Sequence, residues 1–213
     1  MTRLAILSHP ICPWCYIGKT RLDRALEQRP SHDILVSWHP YMLNPDMPAE
    51  GMDRREYLEN KFGGKDGAIK VYGQIDETAR ADGLDLNFAG IKRTPNTLDA
   101  HRVIHWAGIE GKQNAVVDRM FKAYFKEGRD ISDHSVLLRI ATGAGMDGDA
   151  TKRLLDSDAD RAPIMEAVHD ASNKGVNGVP CFVVDGYHVV NGAQPTDLWL
   201  KVIDEIAEIA QDT

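Results

Sequence analysis

The chain has 213 residues, 43% of them hydrophobic and 27% charged, a balance that supports one folded unit with its own core and excludes a disordered polymer. A net charge of -7 with no basic cluster argues against a nucleic-acid partner. No apolar stretch approaches the length of a membrane-spanning helix, and the first residues lack the apolar run and cleavage site of a secretory leader, so the expected location is cytoplasmic. Three cysteines, Cys12, Cys15 and Cys181, are too sparse and odd in number for a structural disulfide framework.

Residues 3–7 form a short apolar run that predicts a buried strand. After His9-Pro10-Ile11, a helical pattern begins at about Pro13, with Ile17, Arg21, Leu22, Ala25 and Leu26 at spacings of three and four. Proline suits the first turn of a helix, where its missing N–H is not needed. Arg29-Pro30-Ser31 ends the helix, and residues 34–38 predict a second strand. Residues 41–51, with Pro45 and Pro48, read as a loop.

From residue 52 to residue 174 the pattern is helical with little strand character, for about five or six helices. Asn96 precedes Thr97-Leu98-Asp99 as a helix cap, with Ala100, Val103, Ile104 and Ala107 continuing the apolar face of Leu98. Val116, Val117, Met120, Phe121, Tyr124 and Phe125 repeat the period, as do Val136, Leu137, Ile140 and Ala141. Residues 179–184 then predict an apolar strand, Asp185-Gly186 a two-residue turn, and residues 187–190 the second strand of a hairpin. A further turn at residues 191–194 leads to Pro195, which opens a last helix burying Leu198, Trp199, Val202, Ile203 and Ile206. The sum is an α/β chain with a thioredoxin-like fold and a large all-helical insertion. Its first half covers residues 1–50, the insertion residues 51–174, and the second half residues 175–213. The two halves are expected to meet in space although they lie far apart in sequence.

Cys12-Pro13-Trp14-Cys15 carries the chemistry. A cysteine at a helix N-terminus meets free N–H groups and the positive end of the helix dipole. Its thiolate is stabilised and its pKa falls below the free value near 8.5. The second cysteine, one turn on, can attack a mixed disulfide formed by the first. Cys12 is therefore expected to be the exposed nucleophile and Cys15 the mostly buried resolving thiol. A structural zinc site would need a second ligand pair, which Cys181 and the scattered histidines do not supply, so no metal is expected. Pro180 opens a strand of central character, where a proline is out of place unless the Val179-Pro180 bond is cis and sits beside the cysteine pair. The Val179 backbone would then face an extended substrate segment.

Residues 12–19 (Cys-Pro-Trp-Cys-Tyr-Ile-Gly-Lys), 38–48, 95–102 and 175–180 (Gly-Val-Asn-Gly-Val-Pro) together resemble the DsbA-like oxidoreductases of the FrnE type over nearly the whole chain. The resemblance implies a thioredoxin domain with a helical insertion, a cis Pro180, and dithiol–disulfide exchange. The same superfamily includes 2-hydroxychromene-2-carboxylate isomerases and kappa-class glutathione transferases. These bind glutathione with a serine or lone cysteine at the position of Cys12 and tend to carry an acid after the hairpin. Here both cysteines are present, and Gln194-Pro195 stands where that acid would be. Relatives often have an acid three residues before the first cysteine. This chain has His9, which if protonated would lower the Cys12 pKa further.

The expected substrate groove includes Pro13, Trp14, Val179, Tyr41, Asn44 and Gln194. Cys181 is expected to be a buried core thiol. His101 and His105 lie four apart on one helix without a third metal ligand, and residues 59–65 lack the pattern of a phosphate loop. The expected activity is thiol–disulfide exchange on a disulfide-containing protein or small thiol, without a tightly bound cofactor. Glutathione or a thioredoxin-like protein is the expected reductant, and a homodimer is compatible with the sequence. The alternatives are a glutathione-dependent isomerase or transferase, and a client-binding module that needs neither cysteine.

Overall fold

The computed structural model describes residues 1–211. Strand β1 (Thr2–Ser8), helix α1 (Pro13–Gln28) and strand β2 (Ile34–Pro40) come first. The insertion holds a two-residue strand β3 (Met52–Asp53), α2 (Arg54–Phe62), α3 (Lys65–Ala81), a 3-10 turn (Phe88–Gly90) and a two-residue β4 (Arg93–Thr94). It continues with α4 (Leu98–Ile109), α5 (Gln113–Phe125), α6 (His134–Gly143), α7 (Gly148–Leu155) and α8 (Arg161–Asn173). Strands β5 (Cys181–Val184) and β6 (His188–Asn191) and helix α9 (Thr196–Gln211) complete the described chain.

The sheet runs β2-β1-β5-β6. Strands β1 and β2 are parallel, with Ile6 opposite Trp38, and β5 joins β1 antiparallel, with Cys181 opposite Leu7. The two halves of the thioredoxin-like fold thus meet along β1 and β5. Helices α1 and α9 pack together over the sheet. Phe182 of β5 meets the Trp199 ring edge-on at 4.6 Å, and Arg29 pairs with Asp204 at 2.7 Å. Helices α4, α5 and α8 contact β2. Gln113 ties the insertion to the sheet: its amide accepts the Trp38 N–H at 2.8 Å and donates to the Trp38 carbonyl at 3.0 Å. It thereby occupies one rung of an edge strand that would otherwise be open.

Among the described residues the insertion holds seven helices, more than the periodicity indicates, and the small β3–β4 pair. The short α7 and the break between α2 and α3, where Gly63 is left-handed, lie below what apolar spacing resolves. Asn96 does accept the Leu98 N–H at 3.0 Å, but from one position before the capping residue Thr97. The hairpin turns on Asp185 (φ 48) and Gly186 (φ 81), yet the ladder resumes one residue later than predicted. Val184 pairs with His188, and Tyr187 stands out of the sheet. Asp185 is still tied to β1, donating its N–H to the Arg3 carbonyl at 2.8 Å and accepting the Arg3 N–H at 2.7 Å, so the turn cannot begin earlier.

Candidate active site

Cys12 is the capping residue of α1 and Pro13 its first helical residue. The Cys12 carbonyl accepts the Cys15 N–H at 3.0 Å and the Tyr16 N–H at 3.4 Å, which closes the first turn and sets both thiols on one side of it. No acidic residue occupies that turn. The Val179-Pro180 bond is cis, and Cys12 Sγ lies 3.6 Å from the Val179 carbonyl oxygen, to which the thiol donates. Gly18 lets α1 approach this loop: a Cβ there would lie 2.9 Å from Pro180 Cγ.

Contrary to the expectation of an exposed nucleophile, Cys12 is only 4% exposed, and Cys15 only 1%. The physical reason is the contact just described: the Cys12 thiol turns inward toward Val179 rather than outward. Trp14, at 37% exposed, is the solvent-facing side chain of the motif, while Pro13 is buried. All three cysteines are free thiols.

The two motif thiols are driven apart. A hydrogen bond from the Cys15 thiol holds the Cys12 pKa below its ordinary value against the opposing effect of burial. The backbone N–H groups of Cys15 and Trp14 and the charge of Lys61 act in the same direction. Burial pushes the Cys15 thiol well up, and its hydrogen bond and proximity to Cys12 push it further. One sulfur is thus prepared as a thiolate and the other kept as its proton donor. On ionisation Cys12 loses its donor contact to Val179 and is held by N–H and S–H groups instead.

His9 does not supply the positive charge expected of it. Its side chain is buried, and burial, reinforced by His101 and Lys61, holds its pKa well below the ordinary value. The ring is neutral at pH 7, bonded to Thr97 Oγ1 at 2.9 Å through Nε2 and to the Leu43 N–H at 3.5 Å through Nδ1. It is also stacked on His101 at 5.9 Å. What His9 offers the motif is its backbone: its N–H lies 3.5 Å from Cys15 Sγ.

The cation near the motif is Lys61 of α2, inside the segment that sequence reasoning set aside for lacking a phosphate-loop pattern. Its ammonium donates to the Tyr57 hydroxyl at 2.9 Å, which also accepts from the Asn44 amide at 2.5 Å. Asn44 therefore reaches the motif's surroundings through Tyr57 and Lys61. Tyr41 is buried, and its hydroxyl donates to the Val176 carbonyl at 3.2 Å, four residues before Pro180. It positions the loop rather than lining an open groove. Gln194 folds back on its own turn, its amide donating to the Asn191 carbonyl at 2.7 Å.

Cys181 lies in β5, 1% exposed, with burial raising its pKa. His101 is buried and donates to the Tyr41 carbonyl at 3.1 Å, whereas His105 is exposed, so the two share no site. Among the described residues no cluster of histidine, cysteine and acidic side chains could hold a metal ion, and no helix is long and apolar enough to cross a membrane.

Comparison with known proteins places these features in context. The chain is 26% identical to the uncharacterized protein YwbO of Bacillus subtilis over 211 residues, 95% of this chain and 96% of that protein. The crystal structure of a probable DsbA oxidoreductase, SCO1869 of Streptomyces coelicolor, superposes with a TM-score of 0.84 at 28% identity, covering 96% of this chain and 89% of that one. The cytosolic disulfide reductase DsbM of Pseudomonas aeruginosa shares the fold, with a TM-score of 0.71 at 20% identity over 97% of this chain and 99% of that one. The family model of the DSBA-like thioredoxin domain matches residues 6–204, and the chain therefore belongs to the DSBA-like thioredoxin-domain family.

Proposed function

We propose that the chain catalyses dithiol–disulfide exchange with Cys12 as nucleophile and Cys15 as resolving thiol. The observation that carries this reading is geometric: Cys12 caps α1, Cys15 lies one turn on with its N–H bonded to the Cys12 carbonyl at 3.0 Å, and the Cys12 sulfur faces the Val179 carbonyl at 3.6 Å, an arrangement with which the lowered Cys12 and raised Cys15 pKa values agree. The Cys12 thiolate attacks one sulfur of a substrate disulfide, forms a mixed disulfide, and releases the other sulfur as a thiolate that takes up a proton. Once Cys12 is no longer anionic, the hydrogen bond and charge that raised the Cys15 pKa are gone. Cys15 then loses its proton and attacks Cys12 Sγ, releasing the second substrate thiol. Two electrons pass from the dithiol to the substrate, and glutathione or a thioredoxin-like protein returns them. In a cytosolic poise this chemistry runs toward reduction or isomerisation of disulfides. Trp14 and the Val179 backbone form the two sides against which the substrate segment lies.

The test is to incubate wild type and Cys15→Ser with oxidised glutathione and weigh the products by mass spectrometry. Wild type is expected to yield a Cys12–Cys15 disulfide, and Cys15→Ser to accumulate a glutathione adduct on Cys12. Equal turnover of the two proteins would overturn the mechanism and favour a glutathione-dependent isomerase that needs only one thiol. No reaction at Cys12 in either protein would favour a client-binding module.

A further inference from the structure

Lys61 lies in the last turn of α2 and is exposed. Its ammonium donates to the Tyr57 hydroxyl at 2.9 Å and sits 5.4 Å from that ring. Among the described residues, no carboxylate lies within salt-bridge distance of it. An ammonium has three donors, so Lys61 keeps both hydrogen-bonding capacity and an unneutralised charge at the surface.

A run of contacts sets this charge beside the thiol pair. The His9 N–H lies 3.5 Å from Cys15 Sγ, and the His9 ring accepts the Leu43 N–H at 3.5 Å. Asn44, next in the chain, donates at 2.5 Å to the same Tyr57 oxygen that holds Lys61. On the other side Phe62, the residue after Lys61, meets the Tyr72 ring edge-on at 6.1 Å, and α3, which carries Tyr72, packs on α1. The electrostatics agree with this placement. Behind the Cys15 hydrogen bond at Cys12, and behind burial and His101 at His9, the Lys61 charge lowers both pKa values. The Tyr72 hydroxyl, pushed up chiefly by burial, is pushed further by the charge of Cys12. No acidic residue in the first turn of α1 opposes Lys61.

A thiolate repels a disulfide that bears negative charge, and a fixed cation beside the thiolate reverses the sign of that interaction. We infer that Lys61 makes Cys12 selective for disulfides that carry a carboxylate close to the sulfur. The carboxylate takes the free donors of the ammonium while one substrate sulfur meets Cys12 Sγ. The bond between the two substrate sulfurs breaks as the bond to Cys12 forms, and the distal half leaves as a thiolate. Lys61 is thus a specificity-determining residue, a role that rests on Cys12 being the nucleophile of disulfide exchange.

The test uses three small disulfides, 3,3′-dithiodipropionate, 2-hydroxyethyl disulfide and cystamine, which are dianionic, neutral and dicationic at pH 7. Each is mixed with reduced protein, and formation of the Cys12–Cys15 disulfide is followed by acid quench and mass spectrometry. The ratio of dianion to dication rates is expected to be higher than for free dithiothreitol. Lys61→Met should lower this ratio by about 3- to 10-fold, and Lys61→Glu by more. Lys61→Arg should keep it. Loss of the Lys61 charge also reduces the Cys12 thiolate fraction, but equally for all three disulfides, so the ratio isolates selectivity from thiol pKa. Arg139→Gln removes a charge from α6, which packs on α4, α5 and α7, and should leave the ratio as it is in wild type. An unchanged ratio in Lys61→Met and Lys61→Glu, with all three disulfides still reacting, would overturn the selectivity alone. An equal fall in Arg139→Gln would assign the preference to net charge and overturn it as well. Oxidation by none of the three would remove the exchange mechanism itself, and the selectivity with it.

Discussion

At the scale of single residues, the nucleophile is governed by what donates to its sulfur. The largest stabiliser of the Cys12 thiolate is the Cys15 thiol, followed by two backbone N–H groups, with Lys61 behind them. Thiolate absorbance titrations should rank accordingly. Cys15→Ala should raise the Cys12 pKa more than Lys61→Met does, and both should slow alkylation of Cys12 at neutral pH. His9→Gln should leave the titration unchanged, because the His9 ring is neutral and its N–H survives the substitution. A large upward shift in His9→Gln would restore the charged-histidine reading. The motif itself was readable from four residues. Its charge environment was not, because Lys61 lies 46 positions beyond Cys15 and only the docking of α2 brings it near.

The element that joins the two parts of the chain is the edge of β2. Gln113 stands at the first residue of α5 and uses both ends of its amide on the Trp38 backbone. Its neighbour Asn114 accepts the Trp38 indole N–H at 2.5 Å. Removing the amide leaves a peptide N–H and C=O of β2 without their partners, a loss of about 1–3 kcal/mol. Gln113→Ala should lower the urea midpoint accordingly with the m-value unchanged. An unchanged midpoint would mean that water replaces the side chain at no cost. The strands, α1 and α9 were legible because a two- or 3.6-residue period survives in each of them. The β3–β4 pair and the third turn residue, Tyr187, were not, since two paired residues carry no period and the turn's start is set by Asp185 holding on to β1.

At the scale of the whole molecule, His9 and His101 are stacked and buried beneath the loop that follows β2. Both pKa values are lowered, chiefly by burial, that of His101 to about 4. The unfolded chain binds a proton at each ring below about pH 6.5, whereas the folded chain does not until far lower. Stability is therefore full above that pH and declines as the pH falls toward 4, with His101 alone accounting for about 3 kcal/mol at pH 4. Urea unfolding between pH 7 and pH 4.5 should show this slope. His101→Gln, which keeps a donor for the Tyr41 carbonyl, should flatten it. A slope identical in wild type and variant would place the titration elsewhere.

The sequence alone determined the order of the four sheet strands and their two helices, a thioredoxin-like topology around a helical insertion, and the pairing of a cysteine motif at a helix start with a proline at a strand start. Each of these is written in local periodicity and in the backbone chemistry of Pro and Cys, which neighbours in sequence suffice to define. Tertiary structure decided everything that depends on distance in space. It turned the Cys12 thiol inward to the Val179 carbonyl, made His9 neutral by burying it, and brought Lys61 toward the motif. Desolvation and Coulomb interaction act through the solvent-excluded interior, and the sequence does not say which charges that interior will bring together.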